Sequence, residues 1–222
     1  MNDEVEKNMP LDEQKTKLEI AQVFPSLFGR MLVSDADQWN GPLKKRILDR
    51  QATTPSEDYA NSGGWHSPAD LLESPSDDIQ WVRGIIAEGV NSMVRATMQL
   101  PEVKNKQTIP NGAFHVVAWA NVSRSGNYHR IHNHPGSAWS GCYYVSSQTD
   151  KQSLAGALEL YDPRPFAEMT DVPGSPYGQR LLVRPEPGLL VLFPGWMYHF
   201  VHPVVSEEPR ISIAFNAIWK RS

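Results

Sequence analysis

The sequence predicts a mostly β protein with helices in its N-terminal half and a jelly roll, or a similar double-sheet barrel, in its second half. Three observations carry this. Six short segments between about residues 113 and 219 are rich in β-branched and aromatic residues and are separated by Gly, Pro, Asn and Asp. A longer stretch ahead of them repeats apolar residues at helical spacing. At 222 residues the chain can build one sizeable core with a short accessory region.

Taken in order, residues 1–16 are polar and acidic and read as a flexible lead-in. Residues 17–222 read as a single domain, with a helical accessory part over about 17–112 and a jelly-roll core over about 113–219. "LEIAQVFPSLFGRMLV" (18–33) clusters and alternates apolar residues and predicts an early strand. "GPLKKRILDR" (41–50) predicts a short helix, and "QATTPSEDYANSGGWHS" (51–67) a loop. A second helix follows. Ser74 can cap it, Pro75 suits its first position, and Asp77 and Asp78 favour the positive end of its dipole. Ile79, Val82, Ile86, Val90, Met93 and Val94 give it one apolar face as far as about Gln99, which should cover a sheet. The six strands are "AFHVVAWANV" (113–122), "AWSGCYYVSS" (138–147), "GALELYD" (156–162), "RLLVRP" (180–185), "GLLVLFP" (188–194) and "RISIAFNAIW" (210–219).

Bulk properties exclude several classes. The net charge is −4 and no stripe of Lys and Arg is present, which argues against nucleic acid as a partner. Cys142 is the sole cysteine, so neither an internal disulfide nor a cysteine zinc cluster can form, consistent with a reducing cytoplasm. The N-terminus lacks the basic start and apolar core of a secretion signal. No apolar run approaches the ~20 residues of a membrane helix. A homodimer is compatible with the composition.

Three of the seven histidines, His129, His132 and His134, stand within six residues. In "HNH", His132 and His134 are two residues apart, and on an extended segment alternate side chains share a face. Both can then point into the barrel mouth as ligands of one metal. "LLVLFPGWMYHFVHP" offers His199 and His202 after a Pro-Gly turn that could return the chain to the same mouth. Imidazole suits Fe, Zn, Cu or Ni, so the spacing alone names no metal. The plainer reading is a set of surface or core histidines. His129 reads as a pocket or surface residue, and His66 and His115 as structural.

The next signal is Arg210. On its strand Arg210, Ser212, Ala214 and Asn216 share one face, and Ile211, Ile213 and Phe215 the other. The apolar set should pack between layers, which turns the guanidinium inward. There it is costly unless it meets an anion. Its planar fork suits a carboxylate, Ser212 can add a hydrogen bond, and Tyr144 can reach the same group from a neighbouring strand. The competing reading pairs Arg210 with Glu207 or Glu208 at the strand end.

Together these residues resemble the iron(II)- and 2-oxoglutarate-dependent oxygenases. The distal "HFVHPVVSEEPRISI" is similar to the His-x-Val-x-Pro followed by Arg of prolyl-hydroxylase-like members. "VFPSLF", "GGWHS", "HNHPGSAWSGCYYV" and "LFPGWMYHFVHP…RISIAFN" look closer still to a bacterial and phage group of 2-oxoglutarate oxygenases, over about residues 19–219. The resemblance implies a double-stranded β-helix (jelly roll, cupin-like) core and a dioxygenase. Such an enzyme uses Fe(II), O₂ and 2-oxoglutarate, releases succinate and CO₂, and by default hydroxylates a small-molecule or peptide substrate. It implies His132 and His199 as iron ligands, and Arg210 and Ser212, assisted by Tyr144, as the holders of the distal carboxylate.

The family pattern has a carboxylate where this chain has His134, so three imidazoles are expected on the iron. Asp162 or Glu159 is the alternative source of a carboxylate ligand. Three histidines titrating freely would make iron affinity fall below about pH 6.5. Trp65 in "GGWHS", His129, Trp139 and His202 are the candidates for a substrate pocket, with "GGWHS" a lid or pocket wall. Two other functions stay open at this level. One is a three-histidine cupin-like dioxygenase or isomerase that does without 2-oxoglutarate. The other is a non-catalytic β-sandwich module whose metal site is closed by four protein ligands.

Overall fold

Alternation along one long strand organises the molecule. In the computed structural model, which describes residues 26–100, 103, 112–147, 153–169 and 180–221, this strand is β11, Arg210–Arg221. Its Ile211, Ile213, Phe215 and Ala217 are buried under two helices, whereas Arg210, Ser212, Ala214 and Asn216 face a cavity. The helices are α1 (Ala36–Thr53) and α2 (Asp77–Met98). Leu43 and Ile47 of α1 and Ile79, Val82, Ile86, Val90 and Met93 of α2 fill this layer and are each at most 5% exposed. Fully burying one such side chain contributes roughly 1.5–3 kcal/mol, so the layer anchors the sheet.

The sheet under the helices has six strands in the order β1-β9-β6-β11-β4-β3: β1 Gly29–Leu32, β9 Leu189–Pro194, β6 Trp139–Ser146, β11, β4 Gly112–Ser123 and β3 Trp65–His66. A second sheet of five strands has the order β2-β5-β10-β7-β8: β2 Asn61–Ser62, β5 Tyr128–His132, β10 His199–Val201, β7 Leu158–Leu160 and β8 Leu181–Val183. All named strand pairs are antiparallel. This is the mostly β, two-layered jelly roll with helices ahead of it that the pattern predicts. Between the sheets, Tyr144, Leu158, Leu160, Val183, Leu189, Val191, Phe193, Met197 and Val201 form a second apolar cluster. It fills one part of the interior and leaves the rest open.

The differences from the sequence reading are local. Helix α1 begins five residues before Gly41 and runs through Pro42. Tertiary packing offsets the lost backbone bond: Trp39 stacks on Trp81 of α2 at 5.7 Å, and the buried Asp78 of α2 accepts a 2.7 Å hydrogen bond from Arg46 Nε. Helix α2 starts at Asp77, with Ser76 rather than Ser74 at the cap position, and ends at Met98 as expected. Within 18–33 only Gly29–Leu32 is strand among the described residues, at the sheet edge against β9. The lead-in at 1–16 and the first part of that segment lie outside the described residues. Three short strands that the sequence pattern does not single out, β2, β5 and β10, join the predicted β7 and β8 to complete the smaller sheet. No helix among the described residues is long and apolar enough to cross a membrane.

Candidate active site

The cavity lies between the two sheets and has a volume of about 650 Å³, within the usual range for a small-molecule site. His132 ends β5 and His199 begins β10, and the two are directly paired across the smaller sheet. Their rings are 4.1 Å apart between centroids. His134 reaches them from the turn after β5. Its backbone N–H donates to Gly195 O at 2.7 Å, and Gly195 N–H donates back to Ala138 O at 3.2 Å. The turn following "HNH" and the Pro194-Gly195 turn are thus zipped together, and His134 sits 5.1 Å from each of the other two rings. Sequence reasoning placed His134 on an extended strand beside His132. In the structure the strand stops at His132, and loop-to-loop hydrogen bonds orient the third imidazole.

One ligand atom from each of the three histidines lies within 4.8 Å of the others, the arrangement of a single-metal site. His132 Nδ1 bonds the Arg130 carbonyl at 2.6 Å, and His199 Nδ1 bonds the Met197 carbonyl at 3.0 Å. A carbonyl only accepts, so each Nδ1 carries the proton and each Nε2 keeps its lone pair for a metal. Burial, followed by the adjacent His132, pushes His199 down to about 2. Burial and the same neighbour push His134 down to about 4, and burial also lowers His132. All three are held neutral, the form that ligates. The donor set fits a borderline ion such as Fe(II), with coordination positions left over.

Neither alternative carboxylate joins this group. Glu159 sits on β7 next to the cavity-lining Leu158, so its side chain leaves on the opposite face. There it accepts from Arg180 Nη1 at 2.8 Å and bonds His202 Nε2 at 2.6 Å. Asp162 lies beyond the end of β7 and accepts from Arg164 Nε at 2.8 Å.

Arg210 occupies the same cavity and is 4% exposed. Its Nε donates to Gly156 O at 3.1 Å and its Nη1 to Ser212 Oγ at 3.3 Å. The guanidinium lies 5.0 Å from the Tyr144 ring centre, and the buried Tyr144 hydroxyl has no hydrogen-bond partner among the described residues. Among the described residues no carboxylate pairs with Arg210. Glu208 instead pairs with Lys44 at 3.2 Å. A buried cation without an anion beside a hydroxyl that lacks a partner is an unfinished site, suited to an anionic group. Gly156 is part of this cradle. Its φ is +66°, and a Cβ there would stand 3.1 Å from Arg210 Cδ.

The candidate pocket residues divide. His129 lines the cavity, and burial, reinforced by the Arg210 charge, holds it down at about 3. Trp65, Trp139 and His202 are corrections. Trp65 turns into the helix-covered core and donates from Nε1 to Thr54 O at 2.9 Å. Trp139 packs against that same core. His202 is tied to Glu159 on the outer face. The cavity wall is made instead by residues the sequence reading passed over, above all His66, Trp119 and Asn121 with Tyr59 at the rim. The sequence reads His66 as structural, and the structure places it on the cavity wall. The signal available was the strand alternation of "WH", which sends one residue to each face without saying which faces the cavity.

Two sheets forming a jelly roll, three neutral histidines within metal-binding distance and an inward arginine with no anion among the described residues are the arrangement expected of a 2-oxoglutarate-dependent non-haem iron oxygenase. Residues 117–216, the strands that carry this site, match the family model described as "Putative 2OG-Fe(II) oxygenase". Solved structures agree in fold. A Pseudomonas putida prolyl-4-hydroxylase superposes with a TM-score of 0.56 at 15% identity, over 88% of this chain and 92% of that one. The non-haem α-ketoglutarate-dependent epimerase SnoN of nogalamycin biosynthesis gives 0.57 at 12% identity, over 86% and 76%. HygX from Streptomyces hygroscopicus, with nickel and 2-oxoglutarate bound, gives 0.55 at 11%, over 86% and 82%. No curated protein matches the sequence significantly.

Proposed function

We propose that the protein hydroxylates an organic substrate: R–H, O₂ and 2-oxoglutarate give R–OH, succinate and CO₂. The observation that carries this reading is the buried, anion-free Arg210 in the same cavity as three neutral histidines. A metal site with no use for 2-oxoglutarate leaves that guanidinium unexplained, and a structural site would need a fourth protein ligand.

Bound iron(II) supplies the oxygen-activating chemistry and 2-oxoglutarate the two electrons that accompany it. The chain's residues do the rest. His132 and His199 present Nε2, with their rings fixed by the Nδ1 bonds to Arg130 O and Met197 O. His134 presents its ring from the zipped turns. Arg210 clamps the distal carboxylate, and the Tyr144 hydroxyl, lacking any other partner, donates to the same group. Phe193, 4.8 Å from the His199 ring, together with Leu158 and Val201, makes an apolar wall that limits water at the reacting end. The substrate enters from the open side of the cavity, at Tyr59 and Ile131.

Calorimetry of 2-oxoglutarate binding to the protein loaded with Ni(II), a redox-silent stand-in for iron, tests the reading. Arg210→Ala should raise the dissociation constant at least about tenfold, a loss of roughly 1.4 kcal/mol. Equal affinity in the two proteins would remove Arg210 from this role and with it the main support for the function.

A further inference from the structure

The "GGWHS" segment closes one edge of the barrel. Asn61 and Ser62 pair with His129 and Tyr128 in the smaller sheet, while Trp65 and His66 pair with Val122 and Asn121 in the larger one. Gly63 and Gly64 make the crossing between sheets. Gly63 has φ +76°, and a Cβ there would stand 2.5 Å from Asn127 Nδ2, so only glycine fits this turn. Because side chains alternate on β3, Trp65 anchors the segment in the outer core and His66 is delivered to the cavity.

Four rings then form a continuous track. Tyr59 is 62% exposed at the rim, and its ring lies 4.9 Å from that of His66. His66 is stacked on Trp119 at 5.3 Å, and Trp119 lies 5.9 Å from His134 of the metal group. The track leads from solvent to the three-histidine group. It contains one polar opening. His66 Nδ1 bonds the Ser67 carbonyl at 2.7 Å and so carries the proton. His66 Nε2 makes no hydrogen bond among the described residues and keeps its lone pair, and His66 lines the cavity. Beside it on the next strand Asn121 lines the cavity, and its buried Oδ1 has no partner among the described residues. The wall therefore offers flat faces and acceptor atoms. At the rim, Arg130 lines the cavity and faces Asp58 at 3.9 Å, a pair opposite in sign.

We propose that this track is the substrate subsite. It takes an uncharged, planar, unsaturated ring that carries an N–H or O–H donor at its edge; the donor bonds His66 Nε2 while the ring lies along Trp119. The assignment rests on the oxygenase reading for the position of the reacting end. Flat faces favour offset or edge contacts with a second π-system over a saturated chain. An unpaired acceptor selects a ligand that brings the donor, since a ligand without one leaves the acceptor buried and unsatisfied.

The test uses full-length protein loaded with Ni(II) and 2-oxoglutarate, and indole and 1-methylindole as probes that differ only in the N–H. Wild type should bind indole about fivefold more tightly than 1-methylindole, the worth of one neutral hydrogen bond. His66→Phe keeps the stack and removes the acceptor, so it should bind both probes alike. Trp119→Leu should weaken both. In wild type the His66 Nε2 nitrogen resonance should move with indole and stay in place with 1-methylindole, a readout that does not depend on any variant folding. An unmoved resonance, a preference for indole that survives in His66→Phe, or no binding of indole at millimolar concentration overturns the subsite. Failure of the oxygenase reading looks different: wild type would then take up no 2-oxoglutarate, whatever its response to indole.

Discussion

Acid should destabilise the metal-free protein well before its carboxylates titrate. Three cavity histidines, His129, His134 and His199, are held at about 3, 4 and 2 in the folded chain, primarily by burial. In the unfolded chain each returns to ~6.5. Below that value the unfolded state binds protons that the folded state refuses, so stability rises with pH and is lost as pH falls through 6.5. Each such histidine costs close to nothing at pH 7.5 and on the order of 1 kcal/mol at pH 5.5. Three together remove a few kcal/mol between pH 7.5 and 5.5, a large share of the ~5–15 kcal/mol of a typical domain. The assay is urea denaturation of chelator-treated protein across that interval, followed by tryptophan fluorescence and compared at constant m-value. His199→Asn should reduce the pH dependence, because it deletes one of these contributions. A loss of less than about 1 kcal/mol would show that these imidazoles take up protons in the folded state and would refute the reasoning.

The same shifts alter what pH does to metal binding. With the ligands already neutral, iron affinity of the folded protein should stay level from pH 7.5 to about 5.5, not fall from 6.5 as free imidazoles would require; competition titration over that range decides. His132→Ala and His199→Ala should each lose most bound metal by elemental analysis, and one iron per chain retained in both would sink the site. His134→Asp should keep one metal per chain, because a carboxylate replaces the imidazole with another oxygen- or nitrogen-donor of the right class for iron. Gly156→Ala should destabilise by about 1–2 kcal/mol, from a forced left-handed backbone, and weaken 2-oxoglutarate binding through the crowded Arg210; urea melts and calorimetry read the two effects separately. Arg46→Ala leaves Asp78 buried and unpaired and should cost about 2 kcal/mol at neutral pH, less than for a wholly buried pair because the Arg46 side chain is 41% exposed. That difference should shrink below about pH 4, as Asp78, held low by Arg46, protonates.

What the sequence by itself determined is what repeats or pairs over a few residues. The 3.6 spacing from Ile79 to Met93 fixed a helix with one buried face. The alternation from Arg210 to Asn216 fixed which side chains of β11 meet the helices and which meet the cavity. The crowding of His132 and His134, with His199 behind a Pro-Gly turn, marked the histidines that the fold gathers. Tertiary structure decided whatever depends on a distant partner. Strands β5 and β10 are too short to carry a readable period; they are held by cross-strand pairing, which sets His132 opposite His199. His134 is aimed by a bond to Gly195, far along the chain, and not by its distance from His132. "GGWHS" drew attention to Trp65, yet the cavity received His66. A two-residue strand offers both faces equally, and only its pairing with β4, which set Trp65 opposite Val122 in the core, chose between them. Local periodicity is written in neighbouring residues, whereas closure of two sheets around a cavity is a property of their non-local pairing, which no short stretch of sequence encodes.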